Sequence, residues 1–495
     1  MTSLDEFLEQ LNIYVRARYP LLYIVTWEEE RAEQLLRRAA ADRSKAIYVW
    51  TQTEGFHGKA SSKGYSAVEA LNHVLSSAEK AIFVLKDFHP FMKEDVVIRR
   101  LRDIVADLKR SYKTLVLLSP ILEVPPELEK DITVLDLPLP DEADLRTCLR
   151  EFLETVKGRI DVRHDPDLEE KVVKASLGFT LSQAENVFAR AIIADRAFSM
   201  DDLHLILAEK KQIVRKSGFL EFYDLGEDFK QVGGLDNLKL WLENRSHAFT
   251  DRARVYGLPE PKGLLLLGVQ GCGKSLTAKA IASLWGLPLL RFDVGTVFGS
   301  YIGQTEANMR RALKMAEALS PAVLWLDEIE KAFAGSTGNS SADSGVSARV
   351  FGAFLTWLQE KKKPVFVVAT ANNVKSLPPE LLRKGRFDEI FFVDLPNQAE
   401  REGILEIHLK KRNRDPGEFP LAELAREAEG FSGAELEEAI VSSMYSAFPE
   451  GREINGEDIA RALKETVPLS VLLREDIQAL RSWASQRARS ASGKR

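Results

Sequence analysis

The sequence predicts an α/β fold built on a parallel sheet, in which a phosphate-binding loop joins a buried strand to a helix. The first observation is residues 264–275, Leu-Leu-Leu-Leu-Gly-Val-Gln-Gly-Cys-Gly-Lys-Ser, an apolar strand that runs into a glycine-rich loop. The second is a pair of apolar runs, residues 322–326 and 364–370, which both end in polar side chains. The third is that landmarks of this region recur before residue 210. Together these observations predict two related α/β domains.

Composition and charge limit the classes of protein to consider. The chain has 495 residues, a formal net charge of −6 and 45% hydrophobic residues, which is typical of a globular protein of several domains. The acidic balance gives no support for binding to nucleic acid or to an anionic membrane. Cys148 and Cys272 are too few for a disulfide framework and are typical of a reducing compartment. With no long apolar run and no signal-type N-terminus, we expect a cytoplasmic protein without a membrane span.

The glycine-rich loop predicts nucleotide binding. Gly268, Gly271 and Gly273 let backbone N–H groups approach phosphate oxygens that a Cβ atom would obstruct. Lys274 supplies a positive charge for the β- and γ-phosphates, and the Ser275 hydroxyl is placed to bind Mg²⁺. The helix that follows directs its positive end toward the same anion. The predicted ATP-binding loop consists of Gly268, Val269, Gln270, Gly271, Cys272, Gly273, Lys274, Ser275 and Leu276.

Polar side chains at the ends of the next two apolar runs predict the rest of this site. Asp327 and Glu328 follow the strand over residues 322–326, where the carboxyl edge of a parallel sheet would turn them toward the phosphates. Asp327 would bind Mg²⁺ through water, and Glu328 would orient and deprotonate the attacking water. Asn372, after the strand over residues 364–370, would bind the γ-phosphate or position the water. The alternatives are an acidic turn at the end of a core strand and an ordinary turn asparagine.

Two arginines follow these strands at a spacing of three residues. Arg383 and Arg386 lie in the segment Leu-Leu-Arg-Lys-Gly-Arg-Phe-Asp. Their side chains would either reach a phosphate or belong to a solvated charged face. Spacing alone leaves both interpretations open.

The order of the motifs resembles that of the AAA ATPases. Val-Gly-Gly-Leu at residues 232–235 precedes the loop, Thr-Ala-Asn at 370–372 follows the Asp-Glu pair, and Gly-Phe-Ser-Gly-Ala-Glu-Leu at 430–436 follows the arginines. The resemblance implies a P-loop AAA module, a parallel sheet with a small helical lid, that hydrolyses ATP with Mg²⁺. Since that family assembles through a head-to-tail interface, it also implies a homo-oligomeric ring, usually a hexamer.

The same resemblance implies a role for each matching residue. Val232 and Gly233 would line the adenine pocket, and Gly433 and Ala434 would form the sensor 2 turn. Arg383 and Arg386 would be arginine fingers that act on ATP held by the neighbouring subunit. Asn372 would be sensor 1. The residues implied to be catalytic are Lys274, Glu328, Asn372, Arg383 and Arg386.

A closer resemblance is to the hypothetical chloroplast reading frame forty-six family, AAA proteins of cyanobacteria and algal plastids. It rests on the sequence around the loop, on Phe-Leu-Thr-Trp-Leu-Gln-Glu-Lys-Lys, on Val-Phe-Val-Val-Ala-Thr-Ala-Asn-Asn, and on Trp483 and Ala484 near the C-terminus. This resemblance implies a soluble ATPase of the cyanobacterial cytoplasm or the plastid stroma with a link to photosynthesis and carbon uptake. It does not identify a substrate.

The N-terminal region repeats the plan of the AAA module without its charged residues. Val-Pro-Pro-Glu-Leu at 124–128 matches Leu-Pro-Pro-Glu-Leu at 377–381, and Gly-Phe-Thr at 178–180 matches Gly-Phe-Ser at 430–432. After the apolar strand at 22–25, however, the chain reads Thr-Trp-Glu-Glu-Glu with no glycines, and Lys86 stands where a metal-binding aspartate would be. We predict a degenerate AAA-like domain that neither binds nor hydrolyses ATP. The alternative is an unrelated α/β domain with similar strand ends.

The sequence predicts five segments, with boundaries placed at changes in pattern and at glycines. They are a degenerate AAA-like domain (1–212), a linker (213–230), a large α/β subdomain (231–398), a helical lid (399–466), and a C-terminal helix with a frayed basic tail (467–495).

Two further residue groups suggest specific roles. Tyr301, Ile302 and Gly303 fit the position of the AAA pore loop, in which an aromatic side chain grips an extended polypeptide. The alternative is an exposed loop tyrosine. Cys272 would lie beside Lys274 and a helix N-terminus, which both favour a thiolate and hence a redox brake on hydrolysis. The simpler alternative is a small residue that fits the loop.

Three functions are compatible with the sequence. The first is a ring ATPase that remodels or unfolds a protein partner, with the degenerate domain as an adaptor. The second is a slow ATP-dependent switch or scaffold that recruits partners without unfolding them. The third is a motor on nucleic acid, which the acidic balance disfavours.

Overall fold

The computed structural model describes residues 3–56, 66–156, 166–195, 202–223, 233–249, 251–293, 305–333, 344–383 and 385–493. The chain divides into two compact units, Met1–Glu209 and Lys210–Arg495. Among the described residues, no helix is both long enough and apolar enough to cross a membrane.

The first unit is built on a sheet of six strands within the described residues. They are β1 (Leu21–Val25), β2 (Ala46–Thr51), β3 (Gly55–Phe56), β4 (Ala81–Lys86), β5 (Thr114–Ser119) and β6 (Ile132–Asp136). The strand order is β3-β2-β4-β5-β1-β6, and all neighbours are parallel except β2 and β3. β4 and β5 are apolar and almost fully buried because helices cover both faces of a parallel sheet.

Eight helices lie in the described residues of the first unit and at its boundary. They are α1 (Ser3–Arg16), α2 (Glu29–Ala41), α3 (Ala67–Ser76), α4 (Asp95–Leu108), α5 (Glu142–Val156), α6 (Pro166–Ser176), α7 (Leu181–Asp195) and α8 (Asp202–Ser217), within which the division into units falls. α1 and α2 pack on the face that carries Leu22 and Ile24, and α3 and α4 pack on the face that carries Leu21 and Tyr23. This alternation follows from the two-residue period of a strand.

The second unit contains a sheet of seven strands in its described part. They are β7 (Leu220–Tyr223), β8 (Gly263–Gly268), β9 (Leu289–Phe292), β10 (Ala322–Leu326), β11 (Val365–Ala371), β12 (Glu389–Val393) and β13 (Arg489–Ser490). The order is β13-β12-β8-β11-β10-β9-β7, and only β7 runs antiparallel to its neighbour. β8 lies between β11 and β12, so the chain that leaves β8 emerges at the carboxyl edge of the sheet beside both strands.

The helices of the second unit form a layer around the sheet and a separate lid. Those before the lid are α9 (Asp236–Glu243), α10 (Asp251–Tyr256), α11 (Lys274–Trp285), α12 (Thr305–Ala318), α13 (Ile329–Phe333) and α14 (Ser344–Glu360). The lid helices are α15 (Gln398–Lys411), α16 (Leu421–Glu427), α17 (Gly433–Ala447) and α18 (Gly456–Glu465), which share a hydrophobic core of their own. α19 (Leu469–Leu472) and α20 (Arg474–Arg487) follow.

The two sheets share one strand order. β6-β1-β5-β4-β2 in the first unit corresponds, strand for strand, to β12-β8-β11-β10-β9 in the second. The corresponding strands β1 and β8 are each followed by a helix at the carboxyl edge of the sheet, α2 after β1 and α11 after β8. The α/β fold predicted for both halves of the chain is therefore confirmed.

Two segments differ from the sequence-based expectation. The predicted linker over 213–230 contains the end of α8 and strand β7, whose Leu220 and Phe222 pack on the core of the second unit. The C-terminal tail is not frayed over its described residues, because β13 pairs with β12 and Ala491 is fully buried. Alternating apolar residues explain β7. Nothing in the basic composition of the tail indicated a strand.

Candidate nucleotide-binding site

A cavity of about 510 Å³ lies in the second unit at the carboxyl edge of the sheet. Its wall includes residues 270–276, Asp327 with Glu328, Asn372, and Gly433 with Ala434. The structure thus brings together the predicted loop, the predicted acidic pair, the predicted sensor asparagine and the predicted sensor 2 turn. A cavity of this volume is typical of a small-molecule site.

The loop between β8 and α11 is shaped by glycines that accept no side chain. A Cβ atom on Gly268 would lie 2.0 Å from the Val393 carbonyl oxygen, so this strand end tolerates only glycine. Gly271 has a φ of +75°, and a Cβ atom there would lie 2.9 Å from Ser432 Oγ. Gly273 is the N-cap residue of α11, and it has no side chain that could cap the helix. The free N–H groups of the first turn of α11 therefore face the loop, which suits a phosphate anion.

Lys274 is the buried cation of the loop. Its Nζ donates hydrogen bonds to the carbonyl oxygens of Gly268 at 3.0 Å and Val269 at 2.7 Å. Burial lowers the pKa of Lys274 to about 8, an effect that Asp327, Glu328 and Glu330 partly offset. Gly268 and Val269 therefore lie behind the cavity wall and hold the lysine, rather than lining the cavity themselves.

A chain of hydrogen bonds joins the loop to the acidic pair. Ser275 Oγ donates to Asp327 Oδ1 at 2.9 Å, and Thr370 Oγ1 donates to the same oxygen at 2.6 Å. The Glu328 backbone N–H donates to Thr370 Oγ1 at 2.9 Å. A serine hydroxyl next to an aspartate carboxylate is a donor set that Mg²⁺ favours, with phosphate oxygens and water completing its shell. Among the described residues, no group of three or more His, Cys, Asp or Glu could hold a metal ion by itself.

Glu328 has an unusual backbone and two side-chain partners. Its φ is +48°, in the left-handed region that few side chains other than glycine adopt. Its Oε1 accepts a hydrogen bond from Asn372 Nδ2 at 3.0 Å, and its Oε2 pairs with Lys331 Nζ at 2.5 Å. Asn372 and Glu328 therefore form a hydrogen-bonded pair at the wall of the cavity.

Two residues that support this pair were not predicted as site residues. Glu330 Oε1 accepts a hydrogen bond from the Asn372 backbone N–H at 2.8 Å, and burial raises the pKa of Glu330. Thr370 bridges Asp327 and the backbone of Glu328, as described above. The third acid in Asp-Glu-Ile-Glu was a visible signal for Glu330. A lone threonine in an apolar strand gave no comparable signal.

The far end of the cavity is formed by a turn and a lid helix. Gly233 and Leu235 line it, and a Cβ atom on Gly233 would lie 2.8 Å from Ile404 Cγ1 of α15. The Leu235 backbone N–H donates to Glu400 Oε1 of α15 at 3.3 Å. Ile404 and His408 also line the cavity and were missed in the sequence. Val232 lies outside the described residues.

The sensor 2 turn contacts the loop directly. The Ala434 backbone N–H donates to the Gly271 carbonyl oxygen at 3.0 Å. Ser432 caps α17 through a capping box with Glu435, which fixes where this helix begins. The lid and the loop are therefore joined at the cavity.

The predicted arginine fingers do not line the cavity of their own chain. Arg383 is exposed, and Arg386 Nη1 donates to the Leu355 carbonyl oxygen at 2.7 Å. The predicted pore-loop residues Tyr301, Ile302 and Gly303 lie outside the described residues.

Burial argues against the thiolate interpretation of Cys272. Cys272 lines the cavity, but burial raises the pKa of its thiol to about 12, which outweighs the opposite effect of Lys274. At neutral pH the side chain is therefore an uncharged thiol and a poor nucleophile. This favours the simpler interpretation of a small residue that fits the loop.

In the first unit, a buried ionic network occupies the position that corresponds to the loop. Only Thr26, Trp27 and Glu28 separate β1 from α2. Glu28 Oε1 accepts a hydrogen bond from the Leu181 N–H at the start of α7, and its Oε2 pairs with Arg31 Nη1 at 2.8 Å. Arg31 also pairs with Asp144 Oδ2 at 2.9 Å. The Glu28 carboxylate thus accepts a hydrogen bond at the N-terminus of α7, the helix that corresponds to α17.

The end of β4 likewise carries a side chain whose charge is opposite to that of its counterpart in the second unit. Asp87 has a φ of +50°, which matches that of Glu328, so Lys86 corresponds to Asp327 in the second unit. Lys86 Nζ pairs with Glu33 Oε2 at 2.9 Å and with Glu29 Oε2 at 3.4 Å. The turn after β4 thus has the same backbone conformation as the turn after β10, while the cation Lys86 takes the place of the Asp327 carboxylate.

The Glu28→Ala variant is expected to destabilise the first unit by about 1–3 kcal/mol, because it removes one of the two carboxylates that pair with the buried Arg31 and leaves the Leu181 N–H without its acceptor. The measurement is hydrogen exchange in increasing urea for peptides within residues 166–195. Glu30→Ala, which removes an exposed carboxylate from the first turn of α2, is the matched control. Equal protection in both variants would show that the Glu28 network does not hold α7 in place.

Comparisons with known proteins agree with this geometry. Residues 264–395 match the family model described as ATPase family associated with various cellular activities (AAA). Residues 7–137 and 143–217 match models described as the N-terminal domain and the second domain of SpoVK-like AAA ATPases. The chain is 43% identical to the AAA domain-containing protein ycf46 of Pyropia yezoensis over 98% of this chain and 99% of that protein. It is 43% identical to the ycf46 protein of Guillardia theta over 97% of this chain and 95% of that protein, and 42% identical to that of Trieres chinensis over 99% of each.

Proposed function

Because the chain belongs to the AAA ATPase family, among the ycf46 proteins, we propose that it hydrolyses ATP with Mg²⁺ at the cavity of its second unit. The observation that carries this proposal is the hydrogen-bonded chain Ser275–Asp327–Thr370–Glu328, in which we assign Ser275 and Asp327 to the metal ion and Glu328 to the base. Asn372, directly after the neighbouring parallel strand β11, donates a hydrogen bond to Glu328. Such a set of groups is what phosphoryl transfer to water requires.

Each residue of the cavity has a defined part in the proposed reaction. Lys274 and the N–H groups of the loop bind the β- and γ-phosphates, and Ser275 with Asp327 would hold Mg²⁺, Asp327 through water. Mg²⁺, when bound, offsets charge on the phosphate oxygens. Glu328 takes a proton from the attacking water, and Asn372 orients that water or the γ-phosphate.

The site is completed, in this proposal, by a second copy of the chain in a homo-oligomeric ring, with a hexamer as the expected size. Neither Arg383 nor Arg386 lines the cavity of its own chain, so their action on a phosphate requires a neighbouring subunit. Arginine at that position stabilises charge that develops on the transferred phosphoryl group. Assembly and hydrolysis would then depend on each other.

The degenerate domain is proposed not to bind nucleotide. Glu28, Arg31 and Lys86 form ion pairs where a triphosphate and its metal would otherwise bind. The proposed role of this domain is that of an adaptor or substrate platform. The proposed domain limits are those given from the sequence, 1–212, 213–230, 231–398, 399–466 and 467–495, except that strand β7 within 213–230 is assigned to the large α/β subdomain.

The proposed work of hydrolysis is the remodelling or unfolding of a protein partner, in a cyanobacterial cytoplasm or a plastid stroma and with a link to photosynthesis or carbon uptake. The family supports this proposal. Tyr301→Ala tests it, because a threading enzyme should keep basal hydrolysis and lose remodelling of its substrate. A variant that keeps both activities would favour the switch or scaffold.

The experiment that tests the proposed function is phosphate release by the purified chain, followed by capture of partners. Release should require Mg²⁺ and increase with protein concentration as the ring assembles. Glu328→Gln, which should bind ATP and stall, is then used to retain partners. Co-purified proteins support remodelling or switching, whereas co-purified nucleic acid would favour a motor.

A further inference from the structure

The C-terminal segment reaches the nucleotide cavity because of how it joins the sheet. β13 is parallel to β12, and Ser490 lies level with Phe392. Parallel strands end at the same edge, so the residues after β13 emerge at the carboxyl edge where the phosphate-binding loop lies. Ser492 accordingly lines the cavity, together with Gly233 and Leu235. None of the motifs of the loop, the acidic pair or the sensors includes this segment.

The residues after β13 are fixed by backbone hydrogen bonds. The Ala491 N–H donates to the Phe392 carbonyl oxygen at 2.9 Å, and the Ala491 side chain is fully buried. The Leu238 N–H, in the first turn of α9, donates to the Ala491 carbonyl oxygen at 3.1 Å. α9 has no side-chain cap at its N-terminus, so this carbonyl satisfies an N–H group that the helix itself leaves unpaired.

The side chain of Asn237, in α9, binds the two residues that flank Ala491. Asn237 Nδ2 donates to the Ser490 carbonyl oxygen at 3.2 Å and to the Ser492 carbonyl oxygen at 2.6 Å. α9 follows directly on the turn that contains Gly233 and Leu235. The position of that turn is thus set on one side by α15 and on the other by the C-terminal segment.

α20 adds a second link between the C-terminus and the loop. Arg481 binds Asp394 through two guanidinium nitrogens, with Nε at 2.9 Å and Nη2 at 2.8 Å from Oδ1. Asp394 lines the cavity directly after β12. The neighbouring Val393 carbonyl oxygen accepts a hydrogen bond from the Val269 N–H of the loop.

We propose that the segment over residues 489–493 is part of the nucleotide site itself, as the wall that holds the ribose and base, so that nucleotide binding and docking of this segment stabilise each other. The inference rests on the proposed ATPase function. The phosphates belong at residues 271–275, which leaves the Gly233 end of the cavity for the base, and the hydrogen bond from Asn237 keeps Ser492 near that end. Because the coupling is reciprocal, a bound nucleotide must also strengthen the hydrogen bonds of Ala491.

The test uses two variants that release the segment without touching the loop. Asn237→Ala removes both amide hydrogen bonds, and Ala491→Glu places a charge in a fully buried position. Titration with a fluorescent ATP analogue should show binding weakened by about tenfold in each. Ser485→Glu, which adds a carboxylate on the exposed side of α20, is the matched control and should bind as the wild type does. Hydrogen exchange at Leu238 reports whether the segment has been released.

Each outcome has a distinct meaning. Weakened binding in both variants, together with slower exchange at Ala491 when wild-type protein binds ATP, supports the proposal. Undiminished binding in variants whose Leu238 amide exchanges quickly overturns the role of the segment and leaves the ATPase proposal intact. A wild-type chain that binds no nucleotide overturns the proposed function, and the inference with it.

Discussion

Replacing Glu328 by glutamine is expected to slow ATP hydrolysis by about 10²–10⁴-fold, the usual effect of losing a general base, with little change in ATP affinity. Glu328 Oε1 accepts its hydrogen bond from Asn372 Nδ2. Glutamine keeps an amide oxygen that can accept the same hydrogen bond, but it cannot take a proton from water. The measurement is steady-state phosphate release beside a titration with a fluorescent ATP analogue.

The control for this variant is Glu423→Gln, the same change at an exposed carboxylate of α16. It should hydrolyse ATP at the wild-type rate. If Glu328→Gln also keeps that rate, the base must be another group. If it loses binding as well as hydrolysis, Glu328 contributes to holding the nucleotide and its assignment as the base alone is contradicted.

Replacing Arg383 or Arg386 by alanine is expected to slow hydrolysis by about 10³–10⁵-fold, the range found for arginine fingers. Neither side chain lines the cavity of its own chain, so each variant should still bind ATP with the wild-type affinity. The measurements are phosphate release at a protein concentration that saturates assembly, and nucleotide affinity in the same buffer.

Arg383→Ala tests the arginine-finger assignment more directly than Arg386→Ala does. Arg386 also donates to the Leu355 carbonyl oxygen, so its removal takes away an internal hydrogen bond, whereas Arg383 is exposed. Arg426→Ala, an exposed arginine of α16, is the control. If Arg383→Ala and Arg386→Ala both hydrolyse ATP at the wild-type rate, an active site shared between subunits is contradicted.

Much of the site was predictable because parallel strands end at one edge. Once residues 264–268, 322–326 and 364–370 are identified as neighbouring strands, Ser275, Asp327 and Asn372 must converge. The structure places all three around one cavity. The lid was similarly predictable, since its helices lie within residues 398–465 and the expected lid was 399–466.

The supporting groups were less predictable because their roles depend on tertiary contacts. Thr370 bridges Asp327 and the Glu328 backbone, yet in the sequence it is one polar residue in a buried strand. The pKa of Cys272 was predicted in the wrong direction because its neighbours in sequence suggested charge stabilisation, whereas burial has the larger effect. Nearness to Lys274 could be seen in the sequence, but burial could not.

Long-range pairing explains the remaining differences. Glu28 contacts the Leu181 N–H across 153 positions of the chain, which no local pattern encodes. β13 has two residues and pairs with a strand almost one hundred positions earlier, so its basic composition was interpreted as a tail. Short strands of this kind carry no periodicity of their own.

The measurement that tests the central claim most directly is the ATPase rate of a mixture of Glu328→Gln and Arg383→Ala proteins. Each variant alone should be nearly inactive. When the two are mixed in equal amounts, about a quarter of the interfaces should join an intact Glu328 to an intact Arg383 in a head-to-tail ring. We predict that the mixture regains much of the ATPase activity expected when about a quarter of the interfaces are intact. A mixture as inactive as its components, under conditions in which the two proteins co-assemble, would contradict a site shared between subunits.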